Sequence, residues 1–342
     1  MLLLTGLLSG PIFDRGYLRI QLIVGSFMVV FGHMMLSLCT ELWQAMLAQG
    51  FMIGIGSGCL FVPAVAILPT YFSTKIGMAI GLAASGSSMG GIIYPIVFYR
   101  LLPQIGFGWA VRVLGFMTLA TLLVPIFVMR TRVQPAKVRA LIDTSAFTDL
   151  PFIIFVIGGM IGFIGLYVGL FYISFFGLAT GITDEALSFY LVPILNAGSV
   201  LGRTLPNILA DKIGPINVLI PGAILVSIVL FCLITVKTAG GLIAITVFFG
   251  IFSGVFIALP PVCFVALTED KSKIGTRIGM GMAIFALGTL AGGPGGGGIL
   301  QMNPDHLDWT GMWSFGGACV MVAAFIYIII RLMKAGVRLT KV

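Results

Sequence analysis

One stretch combines residue types that could do chemistry inside an otherwise apolar chain: Asn196-Ala-Gly-Ser-Val-Leu-Gly-Arg203-Thr-Leu-Pro-Asn-Ile-Leu-Ala-Asp211-Lys212-Ile-Gly214. At helical spacing, Asn196, Ser199, Arg203, Asn207 and Asp211 fall on one stripe, because steps of three or four residues return to the same face. With Arg100, Arg112, Arg277 and Arg331 assigned to helix ends on one side or the other, Arg203 is the one charged side chain expected within a hydrophobic span, and none of the 11 carboxylates is clearly intramembrane. A guanidinium in hydrocarbon costs several kcal/mol, about 3 on insertion scales, unless it faces protein or a wet cavity. The stripe should therefore face away from lipid. Arg203 then reads as a cationic anchor that grips a carboxylate through two parallel charge-assisted hydrogen bonds. Two plainer readings stand beside it: an arginine near a helix end that snorkels to water, or one paired structurally with a neighbouring helix. Asn196 and Ser199 could complete a binding site or simply tie two helices together.

The other candidates are weaker. Tyr167, Phe171 and Ser174 share a helical face that could line a cavity or belong to the core. Asp14, Arg15 and Arg19, and again Asp211 and Lys212, sit where spans end, which suits either a charged gate or topology-setting charge. Gly77, Gly81 and Ser85, and separately Gly86 and Gly90, form small-residue faces that let helices approach closely. The run from Gly292 to Gly298 is not a phosphate loop, since no Lys-Ser/Thr follows it; it reads as a weak, bendable helix end. His33 is expected to be a hydrogen-bonded structural histidine. The five cysteines all fall in apolar runs without metal spacing and read as small core residues. Within the spans there is no nucleophile–base pair and no His/Asp/Glu cluster, so neither an enzyme nor a bound cofactor or metal is expected.

The elements that must position these residues are membrane helices. Of 342 residues, 59% are hydrophobic and 9% charged, and the mean hydropathy is +1.15; a soluble chain carries roughly a quarter charged residues. Continuously apolar runs of about 20 residues recur throughout, which excludes a β-barrel, whose strands alternate. Full spans are expected at 18–40, 42–70, 76–102, 107–129, 151–180, 186–209, 216–236, 240–268, 274–301 and 310–332. Residues 1–13 are too short to cross by themselves. All Lys and Arg except Arg100, Arg112, Lys237 and Arg203 fall on one side of that arrangement. The positive-inside rule makes that side cytoplasmic and puts the C-terminus there. The net charge of +8 thus reports topology and the lipid surface, not nucleic acid.

The chain also repeats itself. Ile76, Gly77, Met78, Ala84, Gly86, Gly90 and Gly91 recur as Ile278, Gly279, Met280, Ala286, Gly288, Gly292 and Gly293. Gly56 and Pro63 match Gly254 and Pro261, and Asp14-Arg15 matches Asp211-Lys212. Parallel repeats of this kind mark two-bundle transporters. They predict an incomplete N-terminal bundle over 1–129, a cytoplasmic loop over 130–150, a six-helix bundle over 151–332 and a cytoplasmic tail over 333–342. Only 13 residues precede Asp14, against two spans before Asp211, so a six-plus-six architecture would need about one and a half more helices ahead of Met1. The helix expected to face Arg203 would be among them.

Gly10-Pro-Ile-Phe-Asp14-Arg15-Gly-Tyr-Leu-Arg19 resembles the cytoplasmic signature of the major facilitator superfamily, with Gly16 one place early and Leu18 where an Arg stands. Tyr71 to Gly91 and Asn196 to Arg203 are similar to its fungal monocarboxylate-porter-like branch. The resemblance implies an all-α two-bundle fold and a plasma-membrane secondary transporter of small organic anions working by alternating access. It supports Arg203 at the substrate site, where the helical spacing read above would add Asn196, Ser199, Tyr167 and Phe171, and it implies Asp14, Arg15, Arg19, Asp211 and Lys212 at the gate. Animal members of that branch place an Asp one turn before this Arg, where Ser199 stands here; protons therefore remain an open partner beside a carboxylate substrate. Export of a fungal secondary metabolite, and a non-transporting membrane sensor or inactive product, are the alternatives.

Overall fold

The computed structural model describes residues 1–72, 75–130, 142–270, 273–302 and 306–336, apart from the side chains of Pro11, Asp14, Pro69 and Ala335. A short first helix, α1 (Leu2–Asp14), is followed among the described residues by nine helices long and apolar enough to cross a membrane. These are α2 (Leu18–Leu36), α3 (Leu42–Ala66), α4 (Ile76–Val128), α5 (Leu150–Ala179), α6 (Glu185–Ile213), α7 (Pro215–Thr235), α8 (Ala239–Leu267), α9 (Ile274–Leu300) and α10 (Trp309–Lys334). The 53 residues of α4 would run about 80 Å as one rod, far beyond a hydrocarbon core of about 30 Å. Gly106 breaks it with a φ of 72°, a left-handed conformation that glycine adopts without a Cβ penalty. Its two arms match the separate spans expected at 76–102 and 107–129.

Polar residues set where several helices begin. Asp184 accepts a hydrogen bond from the Leu187 amide at 2.8 Å, Asp308 from Gly311 at 2.8 Å, and Thr238 from Gly241 at 3.2 Å. Each satisfies one of the free amides of a first helical turn. Inside the spans, glycine decides where helices touch, because apolar side chains gain little over lipid and close backbone packing supplies the attraction.

The chain divides into two compact units. One comprises Met1–Ser73, Ile93–Asp143 and Asp270–Ala283; the other comprises Thr74–Ile92, Thr144–Glu269 and Ile284–Val342. The change from Asp143 to Thr144 falls within the loop expected at 130–150, of which 131–141 lie outside the described residues. Each unit also takes the start of one repeated small-residue helix, 74–92 or 270–283, from the opposite half of the chain.

In the first unit, Phe13, Leu18, Leu22 and Ile67 form a buried cluster at the turn between α1 and α2. Gln21 fixes that turn by donating to the Ser9 carbonyl at 2.6 Å. Gly25 and Gly56 bring α2 and α3 together so closely that a Cβ on Gly56 would stand 2.8 Å from the Gly25 oxygen. His33 Nδ1 lies 2.8 Å from the Val29 carbonyl of its own helix, which is the structural role expected of it. At the start of α9, Asp143 is buried against two cations. Its Oδ1 accepts from Lys273 at 3.1 Å and its Oδ2 from Arg277 Nε at 3.0 Å.

The second unit is built on rings: Phe155, Phe163, Phe256, Phe264, Phe285 and Tyr327 contact one another with centroids about 5–6 Å apart. The α6–α8 seam depends on Gly198 and Gly202 facing Gly250 and Gly254. A methyl on Gly202 would overlap the Ile251 carbonyl, and one on Gly254 would lie 2.8 Å from the Ser199 oxygen. The glycine run from Gly292 to Gly298 stays helical to Leu300. It is held by contact: a Cβ on Gly292 would meet the Ile164 oxygen at 2.6 Å, and Tyr172 donates to the Gly293 carbonyl at 2.9 Å.

Candidate functional site

The polar stripe lies on α6, in the second unit, and what it faces is the first part of α4. Gly77, Gly81 and Gly91 make this approach possible. A Cβ on Gly91 would stand 2.5 Å from Asn196 Cγ, one on Gly77 2.7 Å from Asp211 Oδ1, and one on Gly81 2.8 Å from Asn207 Cβ. The small-residue face read from the sequence is thus a packing face, and its partner is the charged stripe.

Arg203 is half-buried at the centre of this seam. Its Nε donates to Ser199 Oγ at 3.1 Å, one turn earlier on the same helix. Its Nη1 donates across to α4, to the Ala84 carbonyl at 3.1 Å and to Ser87 Oγ. Nη2 makes no hydrogen bond among the described residues, and no carboxylate among them stands within ion-pair distance of Arg203. A half-buried cation held by neutral oxygens alone keeps most of its charge available to a ligand. Within the described residues, the interhelical partners of the Arg203 side chain are thus Ala84 and Ser87 of α4.

The other expected site residues lie around it unevenly. Ser199 is fully buried beneath the guanidinium and against Gly254. Asn196 donates to its own helix at the Val192 carbonyl, 3.0 Å away, while Gly91 of α4 lies against its amide. On α5, Tyr167 lies beside Thr289 of α9 and in electrostatic reach of Arg203. Its ring meets Phe171 edge-on at 5.4 Å, and Phe171 is exposed beyond it, beside Gly293. The Ser174 hydroxyl is buried and unpartnered among the described residues, which places it within the packing.

The expected gate residues separate into two groups. Asp211 reaches the first turn of α4, where Oδ1 accepts from the Gly77 amide at 2.9 Å and Oδ2 from Met78 at 3.0 Å. A carboxylate on two free amides at a helix N-terminus is stabilised by both the hydrogen bonds and the helix dipole. Asn207, fully buried between Arg203 and Asp211, donates to the Arg203 carbonyl at 2.8 Å. Arg15, Arg19 and Lys212 are exposed and form no ion pair among the described residues. The Asp14 side chain lies outside the description.

Ser87 and Ala84 carry no signal of their own in the sequence, because a small-residue run says nothing about which member will accept a bond. Asp143 is equally silent, since its loop position has no periodicity. No group of three or more His, Cys, Asp or Glu residues that could hold a metal ion occurs among the described residues.

A family model described as Major Facilitator Superfamily matches residues 1–207 of this chain. The chain belongs to the major facilitator superfamily. Among relatives, it is 59% identical over 326 residues to the MFS-type transporter dbaD of Emericella nidulans, covering 95% of this chain and 73% of that protein. It is 36% identical over 327 residues to the aspyridones efflux protein apdF of the same organism, covering 94% of this chain and 66% of that protein. The crystal structure of the human organic anion transporter MFSD10 shares the fold, with a TM-score of 0.73 over 95% of this chain and 82% of that one, at 12% identity. This superfamily member is accordingly a multi-pass integral membrane transporter, and Arg203 is a charge within the transmembrane part of its fold.

Proposed function

We propose that this facilitator exports a small organic anion, a carboxylate-bearing product of fungal secondary metabolism, by alternating access across the plasma membrane. The observation that carries the anion is Arg203: a half-buried guanidinium with neutral partners and a donor nitrogen to spare. The direction rests on kinship, since relatives of this chain include an aspyridones efflux protein and an agnestins efflux protein. Tyr167 and Phe171 supply an apolar wall for the body of the substrate, and Asn196 and Ser199 supply neutral polar contacts.

Alternation requires the start of α4 to part from α6, since these helices belong to opposite halves of the chain, 1–129 and 151–332. Asp211 on the Gly77 and Met78 amides is the gate in this scheme, closed on the cytoplasmic side where the C-terminus also lies. Arg15, Arg19, Lys212 and Asp14 take a supporting electrostatic role at the cytoplasmic ends of their own spans.

The test is efflux from proteoliposomes preloaded with a panel of labelled aliphatic and aromatic carboxylic acids. Wild-type protein should release at least one of them, and Arg203→Gln should reduce that flux to the level of empty vesicles while remaining monodisperse in detergent. Equal flux through the variant refutes the anchor. An imposed pH gradient on the same vesicles tests protons as the coupled ion: acceleration in one direction supports coupling, and indifference removes it.

A further inference from the structure

The donors of Arg203 are distributed in a way that ties substrate binding to the α4–α6 seam. A guanidinium offers a carboxylate two bidentate edges, one formed by Nε and an Nη nitrogen, the other by the two Nη nitrogens. Here both edges are part-occupied. Nε is committed to Ser199 Oγ, and Nη1 to the Ala84 carbonyl and Ser87 Oγ. Only Nη2 is unengaged among the described residues, so an arriving carboxylate can make a single bond without change, and a fork only by displacing one set of oxygens.

The two edges are not equally open. Ser199 is 1% exposed, and its hydroxyl would stand 3.0 Å from a Cβ on Gly254, so α8 closes that side. Ser87 is exposed. The approach is therefore from the Nη1–Nη2 edge, and the oxygen that must yield is the exposed Ser87 hydroxyl of α4.

We propose that Ser87 is a positioning residue: with the site empty it holds the Arg203 guanidinium against α4, and the substrate carboxylate displaces it to form the two-point contact. The displacement leaves only the Ala84 carbonyl on Nη1 and so weakens the upper tie between α4 and α6, while Asp211 keeps the lower one, at Gly77 and Met78. Binding thus loosens one of two interhelical ties before the gate opens, and part of its free energy goes into that loosening. The empty guanidinium, meanwhile, is never left without hydrogen-bond partners. This rests on the anion-site reading above.

The sign of one substitution tests it. If Ser87 competes with the substrate, Ser87→Ala tightens carboxylate binding. Loss of a hydrogen bond to a charged group predicts a Kd lower by about tenfold, moderated by the Ala84 carbonyl that remains. Ser87→Thr retains the hydroxyl and should bind as wild type does. A merely structural Ser87 would leave Kd unchanged, and a Ser87 that contacts the substrate would raise it; either result overturns the proposal. The readout is ligand-dependent thermal stabilisation of the detergent-purified full chain, with acetate and benzoate among the acids tried, fitted to a Kd for wild type, Ser87→Ala, Ser87→Thr and Arg203→Gln. If Arg203→Gln binds as wild type does, or no acid binds wild type, the anion site itself falls and this proposal with it. If Arg203→Gln abolishes binding and Ser87→Ala fails to tighten it, only the competition falls.

Discussion

Asp143→Asn should be among the most damaging conservative changes available in this protein. The side chain is 7% exposed and Arg277 8%, with Nε and Oδ2 separated by 3.0 Å; Lys273, at 38%, is a more solvated partner at 3.1 Å. At an effective dielectric near 20, two unit charges at that distance attract by about 5 kcal/mol, and desolvation of both offsets much of it in the intact pair. The asparagine keeps the shape but removes the charge, so the part of the cost of burying Arg277 that this carboxylate offsets is no longer met. Breaking one side of a buried pair costs about 3–5 kcal/mol; the exposed Lys273 adds at most about 1. Chains of 150–250 residues shift by about 2–4 °C per kcal/mol, and longer ones by less, so the melting temperature in detergent should fall by about 5 °C or more. The double variant Asp143→Asn with Arg277→Gln removes both charges and should recover a large part of the loss. A melting temperature for Asp143→Asn within about 1 °C of wild type, or a double variant whose loss equals the sum of the singles, would refute the reasoning.

Two further outcomes follow from the α6 contacts. Gly202→Ala places a methyl on the Ile251 carbonyl, and backbone cannot give way as a side chain does; the α6–α8 seam must open, at a cost of about 1–3 kcal/mol or more, seen as a lowered melting temperature, whereas Gly240→Ala, which meets nothing within 4 Å, should be silent in the same assay. Asp211→Ala removes both acceptors from the α4 amides and should lower efflux at least tenfold with protein yield maintained, whereas Asp211→Asn, keeping one acceptor oxygen, should fall between; wild-type flux in Asp211→Ala would exclude the gate role.

Much of the fold is legible in the chain. Span positions follow from apolar runs and their polar punctuation, and the observed helices begin and end within a few residues of those runs, because a backbone in hydrocarbon must satisfy its own hydrogen bonds. Even the break in α4 has its signal in Pro103 and Gly106. The stripe from Asn196 to Asp211 is equally legible, since helical periodicity fixes which residues of one helix share a face. The glycine run after Gly292 is not: it reads as a weak end, yet it stays helical. Composition records the low helix propensity of glycine, but not the α5 backbone that packs against those same glycines.

The sequence by itself determined the membrane class, the two-fold repeat and the presence of one cation where hydrocarbon would reject it. Each of these depends on local composition or on the spacing of residues along a single helix. The identity of what meets that cation was a tertiary matter. Ala84 and Ser87 reach Arg203, Asp211 reaches the Gly77 and Met78 amides, and Asp143 reaches Arg277, across separations of more than a hundred residues. A helix advertises the face it must bury but carries no periodic mark of its partner. In these spans the choice is made by backbone approach at glycines, and only the folded chain shows which glycine stands opposite which charge.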